Sequence, residues 1–374
     1  MSEFLQLSEA LEAHDFNLSR LPSKQSHIPD ERLVRFAEYL GRVNEGKASL
    51  REAMSTSDFP QLFGQIIDRQ LYGNYIEASH DWSKVARRAV VNDFKTVERY
   101  VLNGGEGLLT KVPEGTVSEY RTVSDEKYSY SVNVYDEKIH LTWQAVVNDD
   151  LQAFMDMPQR LARAARRTEE HFVTSLYVGT SGPDATFYAA GNSNIVTSNP
   201  ALSIEALQTA MQVLAAQTDS EGMPIIVDAV TMVVPPALEI TARNILNATE
   251  INVTPNASLG TEMQELRAVN WMRNRVTLVV NPWIPYIATS GNGNTSWFLF
   301  ANPTQNRPAL EMGFLRGYEA PTVYRRKPDA EALSGSPAPF GNFDTKTFEW
   351  GVMHILGGST IDPKLSVASN GSGS

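Results

Sequence analysis

Six histidines, a Glu-Glu-His triplet, two glycine-rich turns and a row of arginines are the residues through which this 374-residue chain could act chemically. The histidines are His14, His27, His80, His140, His171 and His354. No pair has a metal-ligand spacing such as HExxH, so a zinc site would need ligands gathered from distant positions. Glu169-Glu170-His171 would supply acid and base groups. Three consecutive residues of a helix point three ways, however, and Arg166–Glu170 has the i, i+4 spacing of an ordinary ion pair. Gly104-Gly105-Glu106-Gly107 lacks the GK[ST] ending of a phosphate loop, and Gly291-Asn292-Gly293-Asn294-Thr295-Ser296 lacks the third glycine of a dinucleotide fingerprint. Both are better turns than cradles. No GxSxG elbow occurs, and the absence of cysteine removes disulfides, zinc–thiolate sites and thiol nucleophiles together. The sequence predicts no catalytic, metal or cofactor site, and hence a protein that is not an enzyme.

The arginines are different. Arg160, Arg163 and Arg167 fall at i, i+3 and i+7, with Arg166 beside them. Two readings stand: a solvated face, or a contact with another subunit or with DNA. A formal net charge of −11 argues against a nucleic-acid binder working by bulk electrostatics.

The element that must carry these arginines is a helix from Pro158 to Val178. Proline suits its first turn, and Leu161, Ala165, Thr168, Phe172 and Leu176 recur at helical spacing on the other side. Its length would be roughly 30 Å. Ahead of it, Ile139, Leu141, Trp143 and Ala145 alternate with polar residues as in a half-buried strand.

Upstream, residues 1–56 are polar and weakly patterned apart from one helix with Leu33, Phe36, Ala37 and Leu40 on a face. Met1 to Arg20 is acidic and lacks the apolar stretch of a signal peptide, and no apolar run approaches the roughly 20 residues of a membrane span. We expect a soluble chain of intracellular origin. A second helix starts at Ser57-Asp58-Phe59-Pro60, with Leu62, Phe63, Ile66, Ile67, Leu71 and Tyr75 toward a core. From Phe94 to Lys138 the chain reads as a hairpin excursion. Its limbs are Thr96–Leu102 and Tyr128–Val134, with a bulge near Tyr135–Lys138 and a reach of roughly 40–50 Å per limb. An isolated two-stranded ribbon is marginal in water, so its apolar side must lie on something, and a neighbouring copy of the chain is the simplest support.

After Pro200 helices and strands alternate. Ser203 caps a helix with Ile204, Leu207, Met211 and Leu214; Ile225–Val234 and Val276–Val280 read as interior strands; Pro235-Pro236 starts a helix through Leu246. Ala248–Thr261 is polar, and residues 285–310 are turn-rich. Strands return at Glu311–Arg325 and Phe348–Leu356 around a Pro/Gly/Ser linker, Ser334–Gly341, and residues 366–374 read as a flexible tail. Hydrophobic content of 42% excludes wholesale disorder, and the length suits two or three domains of mixed α+β class.

This order of parts resembles the major capsid proteins of tailed bacteriophages, with their Hong Kong 97-like fold. Two stretches add to it. Phe59-Pro60-Gln61-Leu62-Phe63 through Ala86-Arg87-Arg88-Ala89-Val90-Val91-Asn92-Asp93-Phe94-Lys95-Thr96 resembles the opening of actinophage-type and Mu-like head subunits. Ser203-Ile204-Glu205-Ala206-Leu207 with Pro235-Pro236-Ala237-Leu238-Glu239 resembles the start of the family's axial domain. The likeness covers about residues 57–365, and its motifs are diffuse.

It implies an N-terminal arm (1–56), peripheral-domain segments (57–93, 139–198 with the spine helix, 338–365), an extended loop (94–138), an axial domain (199–337) and a flexible tail (366–374). It further implies a subunit that polymerises as pentamers and hexamers into an icosahedral shell, enclosing double-stranded DNA without sequence-specific binding. No membrane is involved. Scaffold, portal or cement proteins would be further partners, the location the virion, and the place of assembly the host cytoplasm. Candidate inter-subunit contacts are Lys111, Glu114, Tyr128 and Tyr130 on the excursion and Arg160, Arg163 and Arg167 on the spine. Some members cross-link a loop lysine to a neighbour's asparagine. Lys111 with Asn342 or Asn370 could match, although no residue here fixes the carboxylate such chemistry needs. The arm is expected to remain uncleaved. An encapsulin-like compartment holding an enzyme cargo and an enzyme of another family are the alternatives.

Overall fold

A computed structural model describes residues 68, 71–76, 80–103, 114, 124–144, 157–218, 222–225, 227, 229–253, 266–273, 275–304, 307–327, 329 and 342–373. The chain divides into two compact units. The first is Met1–Ser79, Asn133–Thr168 and Leu315–Leu356; the second is His80–Val132, Glu169–Phe314 and Gly357–Ser374. The expected arm, the helix around Leu33, the linker Ser334–Gly341 and Lys111 lie outside the described residues.

In chain order the elements open with β1 (Ala86–Val91), β2 (Val97–Asn103), β3 (Ser124–Tyr130), β4 (Val132–Thr142) and α1 (Met157–Tyr177). The short pair β5 (Val178–Gly179) and β6 (Gly182–Pro183) precedes α2 (Ile204–Ala215), β7 (Val230–Val234) and α3 (Glu239–Asn247). Then come β8 (Glu250–Val253), β9 (Leu266–Val269), β10 (Val276–Val280), α4 (Trp283–Ile287) and β11 (Trp297–Ala301). The chain closes with β12 (Leu310–Leu315), β13 (Thr322–Arg325), β14 (Thr347–Thr360) and β15 (Ser366–Ser369). Both helix and strand are well represented, as an α+β protein requires.

The second unit is built on a four-stranded sheet of order β10-β7-β11-β15, in which β10 runs parallel to β7 and β11 antiparallel to both its neighbours. Its interior strands read VTMVV and WFLFA and are buried throughout, the pattern of strands covered on both faces. On one face Met232, Val234, Trp297 and Leu299 meet Leu207, Ala210 and Leu214 of α2 and Ala242 and Ile245 of α3. On the other, Phe298 and Phe300 pack edge-on against Tyr177, the last residue of α1, each at 5.1 Å between ring centroids. Helix α2 begins where expected, its Ser203 Oγ accepting the Ala206 amide at 3.1 Å. Also in this unit, β12 lies beside β1, and β2 pairs antiparallel with β3 from Val97↔Tyr130 to Asn103↔Ser124 as a separate two-stranded ribbon.

In the first unit β14 is flanked by β13, in antiparallel register Thr322↔Met353, and by β4. Leu161, Ala162 and Ala165 of α1 cluster there with Val352 and with Leu71 and Tyr75 of a helical segment at residues 71–76. Asp68 Oδ1 accepts the Val323 amide at 3.0 Å, fastening that segment to β13.

Several expectations need correction. The described pairing covers seven residues per limb, about 23 Å, and apart from Glu114 the excursion between Asn103 and Ser124 lies outside the described residues. Strands β3 and β4 are separated at Ser131, and the expected change of apolar phase falls just ahead of Tyr135–Lys138. Strand β4 is continuous, and its inward phase changes from Val132 to Tyr135 while Val134 is exposed. Interior strand β7 is shorter than Ile225–Val234, because the bridge Thr218↔Pro224 holds Ile225 outside it. Strand β8 falls in the polar run after Ala248, and β11 in the segment read as turns.

The end of the chain differs most. Ser366–Ser369 is a fully buried strand beside β11, and Gly371 and Gly373 continue against Thr295 and Asn199. A Cβ on Gly371 would lie 2.2 Å from the Thr295 carbonyl oxygen and one on Gly373 1.9 Å from that of Ser198. Smallness in this segment is what permits close approach to the neighbouring backbone, and it is not a sign of a flexible tail.

Candidate functional site

The ribbon of β2 and β3 has two unlike faces. Glu98, Tyr100 and Lys127 form a polar outer network in which Lys127 pairs with Glu98 and the Tyr100 hydroxyl donates to Glu98 Oε2 at 2.6 Å; Tyr100 is 55% exposed. The inner face presents Val97, Arg99, Tyr128 and Tyr130, with Arg99 directly opposite Tyr128. Tyr130 and Arg99 both reach Glu311 of β12: the tyrosine hydroxyl donates to Oε1 at 2.7 Å and Arg99 Nε to the same oxygen at 2.9 Å. Arg87 of β1 takes the other oxygen, Nη2 to Oε2 at 2.6 Å and Nε at 3.1 Å. The Glu311 side chain is 1% exposed. Burial pushes its pKa up. Hydrogen bonds from Tyr130 and Arg87, with the charges of Arg99 and Arg87, outweigh that and leave it below the ordinary carboxylate range. Burial first, then the bond to Glu311, raises the Tyr130 hydroxyl to about 12, so it stays a donor. Gly313 leaves the room the Tyr130 ring occupies, for a Cβ there would sit 2.6 Å from it.

Of the other candidate contacts, Glu114 is exposed, and Tyr128 lines a cavity of 560 Å³ in the second unit together with Asp184, Arg307, Asp362 and Lys364. Lys111 lies outside the described residues. Arg160, Arg163 and Arg167 are all exposed on α1, and no described residue pairs with them. Arg166 turns inward instead. Its guanidinium lies 3.6 Å above the centre of the Tyr75 ring and donates twice to the Tyr75 carbonyl, at 2.8 and 3.0 Å. It therefore makes no i, i+4 pair with Glu170, which serves elsewhere.

Glu170 Oε1 accepts the amides of Asp81 at 2.5 Å and Trp82 at 2.9 Å, while Trp82 Nε1 donates to the buried Glu169 at 2.8 Å. These adjacent carboxylates anchor the entry to β1. His171 packs edge-on against Trp283 and Tyr286, and His354 against Tyr75. Among the described residues, no three His, Asp or Glu side chains are placed to hold a metal ion. No described helix is long and apolar enough to cross a membrane.

The Glu311 cluster was not anticipated from sequence. Its signal was present: a single carboxylate inside the otherwise apolar run Leu310-Glu311-Met312-Gly313-Phe314-Leu315 must find partners if the strand is buried.

Among the described residues the structure offers sheet cores, a ribbon anchored through Glu311 and exposed cations on a long helix. The family model for phage capsid proteins matches residues 125–367, more than half of the chain, and the chain belongs to that family. Its role is that of a capsid subunit. Solved structures similar to it include that of Mycobacterium phage Che8, at 13% identity over 79% of this chain and 93% of that one, with a TM-score of 0.44. The cyanophage Pam1 capsid asymmetric unit gives 14% identity, 79% and 88% coverage and 0.44. The holo encapsulin complex of Synechococcus elongatus PCC 7942 gives 12%, 76%, 85% and 0.45. No curated protein matches the sequence.

Proposed function

We propose that this chain is the major subunit of an icosahedral phage head with the Hong Kong 97-like organisation, assembling from copies of itself as pentamers and hexamers around double-stranded DNA. The observation that carries this reading is the family match over residues 125–367. The anchored ribbon and the exposed arginine row on α1 support it as surfaces suited to neighbouring copies. Contact between subunits is a matter for Glu114, Tyr128 and the exposed outer face of the ribbon on one side, and for Arg160, Arg163 and Arg167 on the other. Tyr130 is committed within its own chain and acts on such a contact through the ribbon's position. The subunit contributes no catalytic step, and scaffold, portal or cement proteins act as its further partners. Assembly takes place in the host cytoplasm and its product is the virion.

A net charge of −11 suits a container, since the wall then repels the polyanion it holds and does not bind it tightly. Particles carrying this chain, isolated and treated with nuclease, are expected to retain protected double-stranded DNA. A stoichiometric enzyme in its place would identify a cargo compartment instead.

A further inference from the structure

The ribbon of β2 and β3 is bonded to no other strand of the described chain. Its two ends leave through the turn-rich Asn92–Thr96 stretch and through the single unpaired residue Ser131. Backbone ladders therefore hold the ribbon together without fixing where it points. Among the described residues its direction is held by side chains at its root, and there the donors converge on one carboxylate.

The two oxygens of Glu311 divide the work. Oε1 receives Arg99 from one limb of the ribbon and Tyr130 from the other; Oε2 receives Arg87 from β1, the strand beside β12. Arg99 and Tyr130 are diagonal neighbours on one face, since Val97 stands opposite Tyr130 and Arg99 opposite Tyr128. Two limbs gripping one oxygen define a direction as well as an attachment. The outer bonds from Lys127 and Tyr100 to Glu98 join residues of the ribbon to one another. Charge-assisted hydrogen bonds to a buried carboxylate are the strong kind, and their geometry is narrow.

We propose that Glu311 is a positioning residue for shell assembly: by holding Arg99 and Tyr130 on one oxygen and Arg87 on the other, it aims the β2–β3 ribbon at the neighbouring copy. This rests on the reading of the chain as a shell subunit. Self-assembly into one closed size needs the ribbons of all copies held within a narrow range of angles. A ribbon freed at its root still folds but presents a spread of angles.

The test compares the full chain with Arg99→Met, Tyr130→Phe, Glu311→Gln and the conservative Arg99→Lys, reading amide hydrogen exchange and particle diameters. Arg99→Met and Tyr130→Phe remove the ribbon's grip from its own side and leave the Arg87–Glu311 bond in place, so they carry the test if Glu311→Gln does not fold. For Arg99→Met, exchange in residues 97–103 and 124–130 should accelerate about tenfold or more while β7 and β11 keep their protection. Particles should become heterogeneous, and Arg99→Lys should recover part of both. Unchanged exchange in the ribbon overturns the proposal, as does faster exchange with particles still of one size. If the unaltered chain forms no particles, the shell reading fails, and the exchange measurement still decides whether Glu311 holds the ribbon.

Discussion

Glu170 shows how burial and hydrogen bonding oppose each other at a single residue. Burial pushes its pKa up to about 7; the Trp82 and Asp81 amides pull it down, and the charges of Asp81 and Glu169 add to the rise. The folded chain therefore holds a proton that the unfolded chain, at about 4.5, has lost. Stability contributed here is present below pH 4.5 and falls as pH rises to 7, by about 3 kcal/mol in all. Glu170→Gln keeps an oxygen for both amides and has no titrating proton to lose, so its denaturant midpoint should stay flatter across pH 5–8 than that of the unaltered chain. A parallel decline in both would contradict the assignment. Gly357 tests close packing: a Cβ there would lie 2.3 Å from the Ser131 carbonyl oxygen, a backbone atom with little room to move. Gly357→Ala should lower unfolding stability by about 1–3 kcal/mol. At this scale the sequence exposed what lies along one element, such as the Ser203 cap and the outward arginines, and concealed what is assembled from several. Arg87, Arg99, Tyr130 and Glu311 come from four strands, and Arg166 reaches Tyr75 across 91 positions.

Among the elements, β15 and α1 make separable predictions. Val367 and Ala368 are fully buried beside β11, so deleting residues 366–374 exposes one edge of the core sheet and should cost on the order of 3–6 kcal/mol, measured by denaturant unfolding. Arg160, Arg163 and Arg167, by contrast, are exposed and unpaired among the described residues. Replacing all three with glutamate should leave monomer stability within about 0.5 kcal/mol and abolish particle formation. Normal particles from that variant would assign the row to solvent. Strongly periodic elements were legible: α1 lies within a residue of its expected ends, α2 starts after its cap, and β10 falls on Val276–Val280. Strand β11 was not, because Trp297–Ala301 follows the turn-rich Gly291–Ser296 and a short apolar run has no period of its own. Strand β15 was missed for the opposite reason. Its small residues look like a linker until the bulk of Trp297, Phe298 and Leu299 is set beside them.

For the whole molecule, the sequence made the capsid class legible through the order of its parts, with no signature motif to carry it. The fold explains why: what a shell subunit needs is a rigid core, an aimed projection and a complementary surface, and many side chains can supply each. The central claim is that copies of this one chain close upon themselves. Light scattering of the purified full chain, with negative-stain imaging of the same sample, tests it directly. Closed shells tens of nanometres across, or rings of five and six subunits, are the expected result; a stable species of one or two chains at high protein concentration would contradict it.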